Sequence, residues 1–146
     1  MPIPDPTLVE LFDHIIGGYD IPKPSGLSRL KREVATQKPD NAPYSPLTNL
    51  AHTVLWQEAW LKSLNGIKTP GPELWNNDFR IPDPEEYEPL RKHFIDGLHE
   101  ARAYASGEAQ HKAQTDEKAV TTLLKIAVHA SYHMGQLNLL RRIAKG

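Results

Sequence analysis

Thirteen prolines punctuate this 146-residue chain, and their placement limits the possible folds more than any other feature. A proline inside a helix or a central strand removes a backbone donor and crowds the preceding turn, so each marks a boundary or a first turn. Pro22 and Pro24 follow a Gly17–Gly18 pair, Pro39 and Pro43 bracket a polar loop, and Pro46 follows Ser45. Between these breaks the apolar residues recur at helical rather than alternating spacing. No strand pattern competes, and no internal repeat is visible.

Residues 7–17 read as a first helix, with Leu8, Leu11, Phe12, Ile15 and Ile16 at helical spacing and the glycine pair as its stop. Ser25 is placed to cap a short helix over about 26–37, with Leu27, Leu30 and Val34 on one side. Ser45 and Pro46 combine a hydroxyl cap with proline at the first helical position. That helix should run to about Leu64, where Asn65 and Gly66 end it. Its main stripe is Leu47, Leu50, Ala51, Val54 and Leu61, with His52, Trp56 and Ala59 as a second stripe to one side. Residues 67–83 show no periodicity and read as a long ordered loop pinned by Trp75 and Phe79. Loops of this length in compact domains are often functional. The next helix should begin near Pro84 or Pro89, turn Tyr87, Leu90, Phe94, Leu98, Ala101 and Ala105 inward, and stop at Gly107. Thr115 caps a last helix reaching about Ile143, with Asp116 and Glu117 favourable in its first turn. The expected fold class is all-α, a four-helix bundle with long connections and a short extra helix.

The length suits one domain over residues 1–146, large enough for a real core. Hydrophobic residues at 39% and charged residues at 24% fit a soluble globular protein. With a net charge of -1 and no basic block, nucleic acid is not an expected partner. The absence of cysteine excludes disulfides, thiolate ligands and a cysteine nucleophile. The first residues lack the basic and apolar regions of a signal peptide, and no apolar run approaches the ~18 residues of a membrane span. A cytoplasmic protein with no membrane partner is the expectation.

Of seven histidines, His129 and His133 lie four apart in an apolar stretch, hence one turn apart on one helix face. Two imidazoles so placed can share a metal ion. On a wheel of about 100° per residue with Ile126 at zero, Ala130, His133, Leu137 and Leu140 fall within about 40°, and His129 about 60° to one side. His133 is therefore expected near the middle of the buried stripe, where both ring nitrogens need partners. Chance gives such a pair in about one sequence in three of this histidine content, and core histidines bonded to carbonyls are common, so spacing alone is a weak signal. His52 supplies a third corner from the Ser45-capped helix. Three histidines from two facing helices leave at least one coordination position open, as catalytic sites do. His14, His93, His99 and His111 have polar neighbours or lie in linkers and read as solvated.

Neighbouring groups add less. Glu58 falls in the main apolar stripe, and pairing with Lys62 one turn on is the preferred reading. Gln136 can orient a ligand from behind or cap a buried carbonyl. Trp56, one turn from His52, either walls a pocket or packs in the core. Ser131 and Tyr132 point off the inner face.

Together these residues resemble the DinB-like superfamily of small metal-binding four-helix bundles. The resemblance rests on the Ser-Pro-capped helix carrying His52, the following turn from Trp56 to Trp60, the Asn65–Gly66 stop, and His129, His133, Gly135 and Gln136 on the last helix. It spans roughly residues 5–144. It implies a divalent ion, zinc or nickel, held by His52 from the second main helix and by His129 and His133 from the fourth. Some relatives are thiol-dependent transferases or isomerases, so it also implies a low-molecular-weight thiol, a small-molecule substrate and a homodimer.

Two mechanisms are open to such a triad. An external thiol at the open position would be deprotonated and poised to attack an electrophile. Water there would instead support hydrolysis, but a hydrolase also needs a placed general base. Glu58 is the only carboxylate on the right helix, and its angle differs from that of His52 by about 120°. The transferase reading needs no such base and ranks first. A non-catalytic metal-binding or dimerisation module is the third alternative.

Overall fold

A computed structural model describes residues 2–145. Among these residues there are seven α-helices and one 3-10 turn, with no strand. The order is α1 (Pro6–Gly17), α2 (Pro24–Leu27), α3 (Arg32–Thr36), α4 (Pro46–Leu64), α5 (Gly71–Asn77), the 3-10 turn Pro84–Glu86, α6 (Tyr87–Ser106) and α7 (Asp116–Lys145). Helix α7 packs on α4, α1 and α6, while α6 packs on α1 and α4. One apolar core fills the space between these four, from Leu8 and Phe12 through Leu50 and Phe94 to Ile126 and Leu137. No helix among the described residues is long and apolar enough to cross a membrane.

Local sequence explains most helix ends. Asp5 Oδ1 accepts from Leu8 N at 3.0 Å, and Pro6 takes the first helical position of α1. Gly18 closes α1 with φ 66°, and a Cβ there would meet the Lys23 backbone at 2.8 Å, so only glycine fits. Leu8, Phe12 and Ile15 turn inward as expected, whereas Leu11 of the same expected stripe lies at the surface. Ser45 Oγ accepts from Thr48 N at 3.1 Å at the head of α4. Thr115 Oγ1 does the same for Lys118 N at 3.1 Å in α7. Both candidate prolines before α6 are accommodated: Pro84 opens the 3-10 turn, and Pro89 sits in the first turn of α6.

Two expectations need correction. The single helix over 26–37 is absent, and α2 and α3 flank an extended break. Tertiary hydrogen bonds from α6 make the break. Leu30 N donates to the Tyr87 hydroxyl at 2.6 Å, and that hydroxyl donates to the Ser28 carbonyl. Arg91 Nη2 donates to the Ser25 carbonyl at 2.6 Å. The backbone groups a continuous helix would pair internally are thus engaged elsewhere. Ser25 caps nothing; the residues before α2 and α3 are Lys23 and Lys31, without side-chain caps. Nor is the 67–83 segment purely loop, since it contains α5. Trp75 does not pin it, being 72% exposed; Phe79 does, through the contacts described below.

Candidate metal centre

Helices α4 and α7 lie directly against each other, and their contact brings three imidazoles together. One ring nitrogen from each of His52, His129 and His133 lies within 4.8 Å of the other two. His129 Nε2 is 3.2 Å from His52 Nε2. The ring centroids are 4.3 Å apart between His129 and His133, and 4.5 Å apart between His52 and His133. His52 and His133 are buried; His129 is half-buried.

The outward nitrogens of two rings are already satisfied. His133 Nδ1 lies 2.7 Å from Gln136 Oε1 and 3.2 Å from Asn49 Oδ1. His52 Nδ1 is bonded to Asp78 Oδ1. Amide and carboxylate oxygens only accept, so both Nδ1 atoms carry a proton, which leaves the Nε2 atoms as the ligand positions. Burial holds His129 well below the ordinary histidine value, to about 3, and the charges that His133 and His52 would carry push the same way. Burial likewise lowers His133 to about 4, against the Gln136 hydrogen bond, which favours its protonated form. Three imidazole nitrogens converging in this way form a donor set that suits a divalent ion of borderline softness.

Comparison of the chain with family models, with curated proteins and with solved structures finds no match. The reading of the site therefore stands on its own residues.

A further layer supports the cluster from outside. Asp78 Oδ1 also accepts from Trp56 Nε1 at 3.2 Å, so one carboxylate fixes both His52 and Trp56. Asn49 Nδ2 donates to the His133 carbonyl at 3.0 Å, tying α4 to α7 beside the cluster. Tyr44 donates to Gln136 Oε1 at 3.0 Å. Phe79 stacks on His52 with centroids 3.9 Å apart and planes 11° apart, and Tyr44 stacks on Phe79 at 5.1 Å. Phe79 reaches this position with φ 52°, a left-handed conformation unfavourable for a bulky residue. The flanking contacts hold it there: Asp78 on one side, and on the other Arg80, whose carbonyl accepts from Thr48 Oγ1 at 3.0 Å and whose guanidinium binds Glu86 at 2.8 and 3.0 Å.

Of the secondary candidates, Gln136 does stand behind a ring nitrogen. Trp56 is neither simple core nor simple wall, because its indole N–H is spent on Asp78. Glu58 does not pair with Lys62; its carboxylate lies 3.5 Å from His93 Nδ1, toward α6. Tyr132 is exposed as expected, although its ring meets His133 edge-on at 5.1 Å. His111 is not solvated. Its side chain is 12% exposed, with Nε2 2.6 Å from Asp116 Oδ1 and Nδ1 accepting from Ala113 N, and it fastens the linker to the start of α7.

Asp78 and Tyr44 escaped the sequence reading because each joins the site from a segment without periodicity; Phe79 was expected to pin its loop but not to stack on His52. Asn49 left a signal, lying three residues before His52 and therefore on the same helix face.

Proposed function

We propose that this chain is a divalent-metal-binding four-helix-bundle protein of the DinB-like type, and that its centre activates a low-molecular-weight thiol for transfer to an electrophile. His52, His129 and His133 would hold the ion, zinc or nickel. The observation that carries the reading is the pair of satisfied Nδ1 atoms on His52 and His133, which leaves their Nε2 atoms as the ligand positions beside His129. The ion, when bound there, supplies the Lewis acidity that deprotonates a coordinating thiol near neutral pH. The chain's own part is to keep His129 and His133 neutral, to orient His52 and His133 through Asp78 and Gln136, and to exclude bulk water from His52 and His133.

Carboxylate placement ranks transfer above hydrolysis. Asp78 is committed to His52 and Trp56, and Glu58 faces His93, so neither is a free general base at the cluster. Half-exposure of His129 argues against a sealed structural site.

The test uses cobalt(II) as a visible reporter. Adding small thiols to the cobalt-loaded protein should perturb its visible spectrum, and His129→Ala should take up no cobalt. Unchanged metal content in that variant would end the three-histidine assignment. A spectrum indifferent to several thiols would leave hydrolysis or a non-catalytic role. Chelation should leave the helices largely intact, since the apolar core from Leu8 to Leu137 is built without the three histidines.

A further inference from the structure

Of the three imidazoles only His129 is more than marginally exposed, and its surroundings there are apolar. It forms part of the wall of an open groove of about 520 Å³ beside Trp60. Leu124, Val128 and Tyr132 line the same groove, at successive turns of α7. They are 43%, 67% and 64% exposed. Exposed apolar residues are ordinary one at a time, but a contiguous set around a concave volume marks a binding site. Lys125 is the one formally charged residue of the lining, and no acid joins it. Trp60 meets His129 edge-on at 5.0 Å, so the groove's aromatic wall touches the histidine cluster itself.

We infer that this groove seats the organic substrate of the histidine centre, and that the substrate is apolar. Its body is aromatic or branched aliphatic; it is uncharged or carries one negative group toward Lys125; its reactive end lies at His129. The volume lies within the ~300–1,000 Å³ of small-molecule sites. A lone cation with no acid opposite favours neutral or anionic ligands over cationic ones. A second copy of the chain seated here would cover His129, the exposed edge of the cluster, which favours a small molecule as the occupant. The inference rests on the proposed metal centre and narrows its substrate from small molecules in general to an apolar class.

Two ligand pairs test it. Acetohydroxamate and 4-phenylbutanohydroxamate, titrated into cobalt-loaded protein and read in the visible spectrum, share a metal-binding head and differ in apolar body. The phenyl-bearing probe should bind ~10-fold or more tightly, from burial of its carbon chain. Val128→Glu should remove that gain and leave acetohydroxamate binding unchanged. Equal affinities of the two probes would overturn the inference. Acetate and 4-phenylbutyrate, titrated calorimetrically into metal-free protein, test the groove without the ion. Phenylbutyrate should bind and acetate should not, with both Val128→Glu and Lys125→Ala weakening it. If cobalt is not taken up while phenylbutyrate still binds in this pattern, the groove stands and the metal reading fails. If phenylbutyrate binding ignores both variants, or Val128→Glu converts a dimer to a monomer on gel filtration, the groove is not a substrate site.

Discussion

The α1–α6 seam and the α4–α7 seam are built from different material. Toward the core, α1 buries Leu8, Phe12 and Ile15, and α6 buries chiefly Leu90, Phe94, Leu98, Ala101 and Ala105. The ion pair of that seam, Arg102 with Asp13 at 2.5 Å, sits at its partly exposed edge. The α4–α7 seam buries Asn49, His52 and His133 among its apolar residues, which include Leu50, Ile126 and Leu137. Apolar burial is favourable without further conditions, whereas a buried polar group costs stability unless it finds a partner. Every such group in the second seam has one, and the partners come from α4, α7 and the segment after α5. Packing alone accounts for the first seam. The second carries more polar order than holding two helices together requires, and a site accounts for the excess.

The largest effects should come from removing one side chain on each side of this contrast. His133→Ala should abolish stoichiometric metal binding, measured by metal analysis after dialysis, while the helical circular dichroism signal persists. Phe12→Ala should do the opposite. Phe12 is fully buried, so its truncation should cost ~3–5 kcal/mol in urea unfolding, with the folded molecules still binding metal. A His133→Ala protein that keeps its metal, or folded Phe12→Ala that loses it, would erase the distinction between the seams.

A smaller effect isolates the outer layer. Asp78→Asn keeps an oxygen for His52 and Trp56 but removes the charge that strengthens His52 as a ligand. Metal affinity should fall by about 10- to 100-fold, with little change in thermal stability of the metal-free protein. Competition with a chromophoric chelator measures it; an unchanged constant would show that Asp78 only positions the loop.

The contrast also explains what the sequence made legible. The apolar seam was readable almost residue by residue, because the α6 stripe from Tyr87 to Ala105 follows helical periodicity and all six of its expected members are buried. The three histidines were readable because two share a helix face and the third sits in an apolar run. Asp78, and the stacking of Phe79 on His52, were not, because they depend on how the segment after α5 folds back over α4, and no periodicity encodes that path. The break between α2 and α3 was hidden for the same reason: Tyr87 and Arg91, some sixty residues away, supply the bonds that interrupt the helix. His111 misled because polar neighbours in sequence do not reveal that Asp116 and Ala113 enclose it.

A pH dependence separates the seams without removing an atom from the site. His129 and His133 have native values of about 3 and about 4, against an ordinary 6.5 once the chain unfolds. Between those limits the unfolded chain binds more protons than the native one, so stability rises with pH across the window. The contribution of the neutral pair is complete above about pH 6.5 and is lost as pH falls toward 4. By pH 5 the loss should be roughly 1–2 kcal/mol per histidine, with solvent access keeping His129 at the lower end. Chelator-treated protein should therefore melt at a lower temperature at pH 5 than at pH 7, and a His129→Asn/His133→Asn double variant should lose that part of the slope. Phe12→Ala removes no titrating group, so it should lower the two melting temperatures while leaving the gap between them. A chelated protein whose melting temperature is flat from pH 7 to pH 5 would mean that the native cluster takes up protons as readily as the unfolded chain. The lone pairs converging between α4 and α7 would then not be held neutral by burial.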